Sequence, residues 1–210
     1  MNLPPHATAL VCVDFQHDFC TPGGFFEQAG HDIGPCTAAA ERTSVIAASA
    51  RDAGVTVVLT RTVRLDSPER RLNPSRHPGV REGAATGTLG NSRYLPDAWG
   101  TQIVPELAEY GDILIEKPRQ SPFYETALEG ALRTREIQFV VVAGVTTNCC
   151  VDCAIRDAAV RDFDVLVLDD CVATFGAERH LHDATLENAA RFFGVVAGSG
   201  DFLAALEVPR

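Results

Sequence analysis

The chain has 210 residues, 46% of them hydrophobic, which is enough apolar side chain to bury one core of ordinary domain size, and a single domain over 1–210 is expected. Eighteen Lys and Arg against 28 Asp and Glu leave a formal net charge of −10, and no basic run is long enough to track a phosphate backbone, so nucleic acid is excluded as a partner. No uninterrupted apolar run approaches the ~18 residues of a membrane span, and MNLPPHATAL lacks a basic segment followed by an apolar one, so the expectation is a cytoplasmic protein without a membrane partner.

Apolar runs of strand character alternate with helical ones along the chain. Thr8 to Val13 reads as a first strand, Thr37 to Ala53 as a helix closed by Gly54, and Val55 to Thr60 as a second strand. Residues 61–100, rich in Arg, Pro, Gly and Ser, are long for a connection inside a compact domain and read as an insertion that covers substrate or joins subunits. Pro105 to Tyr110 is a short helix, Asp112 to Glu116 a third strand, Tyr124 to Arg133 a helix and Gln138 to Gly144 a fourth strand. A helix through Asp152 to Arg161, a strand at Val165 to Leu168, a helix from His182 to Phe193 and a short strand at Val195-Val196 complete the pattern. Strands apolar on both faces, without hairpin turns between them, predict an α/β fold: a mostly parallel sheet of about six strands with helices on both sides.

In such a sheet ligands bind beyond the carboxyl ends of the strands, so the residues just after each strand belong together. Asp14 ends the first strand, Lys117 the third, and Cys150 follows the fourth inside GVTTNCCV, where a strand turns into a helix. The set is chemically complete: a carboxylate to take a proton, an ammonium to hold it, and a thiol to attack a carbonyl. Lys117 and the helix N-terminus are expected to bring the Cys150 pKa below the free value of ~8.5, with Asp14 acting the other way.

The chain resembles the isochorismatase-like cysteine hydrolases. The resemblance spans nearly its whole length and is carried by DFQHDF from Asp14, KPRQSPF from Lys117 with Thr126 and Leu128 after it, GVTTNCCV from Gly144, and His182 ahead of Leu186. It implies a Rossmann-like three-layer α/β/α sandwich, an Asp–Lys–Cys triad at Asp14, Lys117 and Cys150, and Cys149 as an inert neighbour of the nucleophile. It also implies a cis peptide at Val145–Thr146 and an oxyanion hole made by the N–H groups of Thr146 and Cys150. Thr60-Arg61-Thr62-Val63 lacks the histidine ligands of the metal-dependent nicotinamidases, so no metal and no cofactor are expected. TPGGFFEQAGHD and KPRQSPF are closer to the ureidoacrylate, biuret and N-carbamoylsarcosine amidohydrolases, which implies a small amide or ureido substrate and a homodimer or homotetramer. An enol-ether hydrolase, a lactam-opening hydrolase and a non-catalytic binding protein are the alternatives on the same fold.

Phe19, Trp99, Arg119, Phe123 and Asn148 are the candidate substrate contacts, although aromatics in such a chain more often pack the core. His17, His180 and His182 raise a Cys–His dyad as the runner-up chemistry, with a structural hydrogen bond as the expected role of His182. The seven cysteines include no duplicated CxxC pair; Cys12, Cys36, Cys149, Cys153 and Cys171 read as small core residues, and Cys20 stands apart because it follows the Asp14 loop.

Overall fold

A computed structural model of the chain describes residues 2–63 and 98–206. Six strands form one sheet: β1 (Thr8–Val13), β2 (Thr56–Thr62), β3 (Ile113–Lys117), β4 (Phe139–Val145), β5 (Asp164–Ala173) and β6 (Val195–Ala197). Their order is β3-β2-β1-β4-β5-β6 and every pairing is parallel. The chain builds outward from β1 to β3, then returns to the other side of β1 with β4, so the order reverses between β1 and β4. In sheets of this kind ligands bind at such a reversal, beyond the carboxyl ends of the strands.

β1 is buried at all six positions, as a central strand covered on both faces must be. Its period of two divides it between two cores: Leu10 and Cys12 face one, and Ala9, Val11 and Val13 the other. On the first face lies α3 (Gly34–Asp52), whose buried stripe Cys36, Ala39, Ala40, Thr43, Ile46, Ala47 and Ala50 has helical spacing, together with Phe202 of α8 (Ser199–Leu206). The second face is covered by α5 (Leu128–Thr134), α6 (Asp152–Ala159) and α7 (Arg179–Phe192). Three short helices, α1 (His17–Cys20), α2 (Phe25–Gln28) and α4 (Pro105–Ala108), lie in the connections. Among the described residues no helix is long and apolar enough to cross a membrane.

The boundaries differ from the sequence reading where tertiary partners decide them. The α3 helix starts three residues before Thr37, with Pro35 in its first turn, and closes at Gly54, which has φ +92°. The second strand runs on to Thr62 because β3 pairs with it as far as Thr62 opposite Lys117. The fifth continues to Ala173: its ladder with β4 shifts register between Val142 and Gly144, then resumes with Gly144 opposite Val172. The helix expected from Tyr124 begins only at Leu128, after Glu125 takes φ +52°. Helix α8 was not read from the sequence. Of the expected 61–100 insertion, residues 64–97 lie outside the described residues; Thr62 ends β2, and Trp99–Thr101 form a 3-10 turn.

Cys12, Cys20, Cys36 and Cys171 are buried, whereas Cys149 is exposed and Cys153 half-buried, so these last two are not the core residues expected. The reason is helical geometry: Cys149 and Cys153 point away from the stripe of Ala154, Ile155 and Ala158 that α6 buries. Burial, and then the nearby Asp32 and Glu178, push the Cys36 thiol from its ordinary 9.0 up to about 12. A thiol with a raised folded pKa stabilises the fold fully below 9.0 and loses that contribution as pH rises towards 12, because only the unfolded chain releases the proton there. Cys36→Ala is therefore expected to make the fall of the unfolding free energy between pH 9 and 11, measured by urea titration, shallower by up to about 1.4 kcal/mol per pH unit. Parallel curves for variant and wild type would contradict this.

Candidate active site

Asp14 follows β1 directly, at φ +56°, with its side chain fully buried. Its N–H donates to the Thr60 carbonyl at 3.1 Å, which extends the β1–β2 ladder by one bond and fixes the carboxylate beside β2. There Thr60 Oγ1 donates to Oδ1 at 2.8 Å and Thr62 Oγ1 to Oδ2 at 3.0 Å. Alternate residues share one face of a strand, so Thr60 and Thr62 present both hydroxyls to the same carboxylate. Lys117, also fully buried, reaches across β2 from the end of β3 and places Nζ 2.6 Å from Asp14 Oδ2. The ammonium also donates to Thr62 Oγ1 at 2.8 Å and to the Arg119 carbonyl at 3.0 Å, and it stands 3.5 Å from Cys150 Sγ. β3 is thus not a neighbour of β1, and it is the length of the lysine side chain that joins the two strand ends.

Cys150 arrives from the other side of β1. β4 ends at Val145, the Val145–Thr146 peptide is cis, and Thr147–Val151 form a single wide π turn before α6. The Thr146 carbonyl accepts the N–H of Cys149 at 3.0 Å and of Val151 at 3.2 Å, the second spanning five residues. Gly144 permits the approach: at φ +143°, a Cβ there would lie 2.4 Å from the Val13 carbonyl oxygen. The Cys150 side chain is buried beside Lys117, while Cys149 faces outward.

Residues 8–201 match the family model described as "Isochorismatase domain". The chain belongs to the isochorismatase family. It is 33% identical to the ureidoacrylate amidohydrolase RutB of Methylobacterium radiotolerans, over 99% of this chain and 82% of that one. The RutB of Enterobacter sp. is 31% identical over 100% of this chain and 93% of its own. In structure it is similar to a cysteine hydrolase from Pseudomonas syringae pv. phaseolicola, with TM-score 0.83, 21% identity and coverage of 99% and 95%. It is also similar to the N-carbamoylsarcosine amidase of Thermoplasma acidophilum, with TM-score 0.67, 21% identity and coverage of 91% and 96%. The protein is an isochorismatase-family hydrolase, and its sheet with helices on both sides is the fold of these neighbours.

The electrostatics of this family site differ from the sequence expectation. Burial opposes the charge on Lys117, but Asp14 and then Cys150 outweigh it and hold the ammonium well above its ordinary pKa. The hydrogen bond to Cys149, then burial, push the Cys150 thiol up rather than down, with Asp14 adding to the rise and Lys117 opposing it. Lys117 still favours the thiolate, but the hydrogen bond to Cys149 and burial outweigh it, and Asp14, 2.6 Å from Nζ, offsets part of its charge. Cys149 moves the other way: its hydrogen bond with Cys150 lowers its pKa, and Lys117 adds to that.

The other candidate residues meet partners of their own. Phe19 is buried against Phe26, and Phe123 against Phe163. Trp99 is 51% exposed and stacks on the His17 ring, 4.4 Å between centroids. Arg119 bonds the Pro118 carbonyl at 2.9 Å and lends its own carbonyl to Lys117. Asn148 is tied to Glu178 at 3.0 Å and receives a hydrogen bond from Thr174 at 2.8 Å. Of the dyad histidines, His17 bonds Thr21, His182 bonds Thr147, and His180 is exposed; none bonds Cys150 among the described residues. Among the described residues no three His, Cys, Asp or Glu side chains form a group able to hold a metal ion.

Three contributors escaped the sequence reading: Thr60, Thr62 and Gln16. The first two form a T-x-T at a strand end, a spacing that puts both hydroxyls on one face of the strand. The Gln16 amide donates to the Thr62 carbonyl at 3.1 Å and the Thr101 carbonyl at 2.9 Å, and its oxygen accepts the Thr62 N–H at 2.9 Å. It binds the end of β2 to the segment after Trp99, a contact across 85 residues that local pattern does not signal.

Removing one member of a buried ion pair leaves the other unpaired, so Lys117→Met is expected to lower stability by about 3–5 kcal/mol. Asp14→Asn combined with Lys117→Met should cost less than the sum of the two single changes, as read by urea unfolding. Additive losses would mean that the two groups do not act as a pair. A second expectation concerns the thiols: iodoacetamide at neutral pH should label Cys149 before Cys150, as followed by tandem mass spectrometry of the peptide holding both. Earlier labelling of Cys150 would reverse the electrostatic ranking.

Proposed function

We propose that the protein is a cysteine amidohydrolase that cleaves a C–N bond of a small amide, ureido or carbamoyl substrate through a thioester on Cys150. The observation that carries this reading is the position of one buried ammonium, Lys117 Nζ, against both the Asp14 carboxylate and the Cys150 sulfur. The amidohydrolase names of its relatives support the substrate class.

Cys150 rests as a thiol, so the proton leaves during the attack: it passes to Asp14 while the sulfur bonds to the substrate carbonyl carbon. Lys117 stabilises whichever of the two groups carries the negative charge. The N–H groups of Thr146 and Cys150 take the oxyanion of the tetrahedral intermediate. When the C–N bond breaks, the leaving nitrogen receives the proton from Asp14 and departs as ammonia or an amine. Water then gives a proton to the same carboxylate and its oxygen to the thioester carbonyl; the C–S bond breaks and the proton returns to Cys150 sulfur. Protein groups and water carry every step, and the carboxylate is regenerated at the end. Thr60 and Thr62 keep Asp14 oriented throughout, since each hydroxyl meets a different carboxylate oxygen.

The test is ammonia release across ureido acids, N-carbamoyl amino acids, biuret, maleamate and lactams. On the substrate found, Cys150→Ala is expected to lose turnover by at least about 1000-fold, in keeping with loss of a nucleophile, and Cys149→Ala to keep most of it. Retained turnover in Cys150→Ala would point instead to acid catalysis of the enol-ether type, and the reverse pattern would make Cys149 the nucleophile.

A further inference from the structure

The turn that carries Cys150 is held from two sides. On one side Lys117 meets the sulfur. On the other, the two residues that open the turn send their side chains to a different part of the fold. Thr147, fully buried, bonds through Oγ1 to Nδ1 of His182 at 2.9 Å. Asn148 bonds Glu178 and receives Thr174, so it is tied to the end of β5 and the turn before α7.

His182 is 7% exposed and lies on the face that α7 buries, in line with Thr185 and Ala189. Its backbone is therefore fixed by helix packing, and its ring nitrogen is a rigid anchor for Thr147. We propose that His182 is a positioning residue of the hydrolase: through the Thr147 hydroxyl it sets the rotation of the π turn, and with it the Cys150 sulfur and the Cys150 N–H. This inference rests on the reading of Cys150 as nucleophile. The one turn supplies both the attacking atom and an oxyanion donor, so a small rotation misplaces both against the substrate carbonyl. Substrate contacts made outside this turn would be spared. Burial and then Arg179 lower the pKa of the imidazole, while Asp183 and Asp169 oppose this, so the neutral ring is the form that holds Thr147 near neutral pH.

Three variants test it. His182→Leu removes the anchor, and Thr147→Val removes the hydroxyl at nearly constant shape. His182→Asn keeps a hydrogen-bonding atom at the same distance from the backbone as Nδ1. Positioning predicts that His182→Leu and Thr147→Val each lower kcat about 10-fold to 100-fold with KM unchanged. It also predicts that the double variant is no worse than either single one, and that His182→Asn stays within about 3-fold of wild type, the size of one modest coupling. Hydrogen–deuterium exchange of the peptide 144–151 should rise in the Leu and Val variants and not in Asn. Equal kcat in Leu and Asn, additive losses in the double variant, or unchanged exchange in His182→Leu would overturn the inference. The Cys150→Ala control separates this from the parent reading: if that variant keeps turnover, the thioester mechanism fails, while the exchange comparison still decides whether His182 holds the turn.

Discussion

The site depends on an ammonium and a carboxylate that meet with no exposure to water. Burying either charge alone is costly, and the pair survives because its hydrogen-bonding capacity is met. Asp14 accepts from the hydroxyls of Thr60 and Thr62 in β2, and Lys117 donates to the Thr62 hydroxyl and the Arg119 carbonyl. Thr62 serves both partners at once, accepting from the lysine and donating to the aspartate. β2, which supplies neither charged group, is therefore the strand that makes the pair possible.

The same pair sets the chemistry of the thiol. A lysine near a cysteine suggests a thiolate, but Asp14 is nearer that lysine, and the hydrogen bond to Cys149 and burial act on the sulfur more strongly. The hydrogen bond to Cys149 and burial favour the thiol form of Cys150, and in the proposed reaction its proton passes to Asp14. The outward Cys149, with its lowered pKa, takes the exposed part.

Architecture brings these groups together in two steps. The reversal of strand order puts the end of β1 next to the end of β4, which joins Asp14 to the turn of Cys150. Close contact of those strands then requires Gly144, since any side chain there would meet the Val13 carbonyl. The turn itself is clasped between the sheet on one side and α7 on the other, through the bond from Thr147 to His182.

Much of this was legible in the sequence. Alternating apolar runs revealed five of the strands to within a few residues, because strands buried on both faces have little freedom in composition. The strand-end positions of Asp14, Lys117 and Cys150 followed from the same periodicity. What the residues alone did not disclose depends on strand order and on distance through space. That β2 lies between β1 and β3 gives Thr60 and Thr62 their role, and no local pattern reports which strands adjoin. The balance of charge around the sulfur hinges on a difference of under an ångström between two contacts of one ammonium, and only the folded geometry decides it. The extension of β5, the exposure of Cys149 and the bond from His182 to Thr147 likewise arise from packing between segments remote in sequence. The sequence by itself determined the type of fold and the chemical groups at its strand ends; the tertiary structure decided how those groups share protons, because hydrogen bonds and Coulomb forces act over distances that periodicity does not encode.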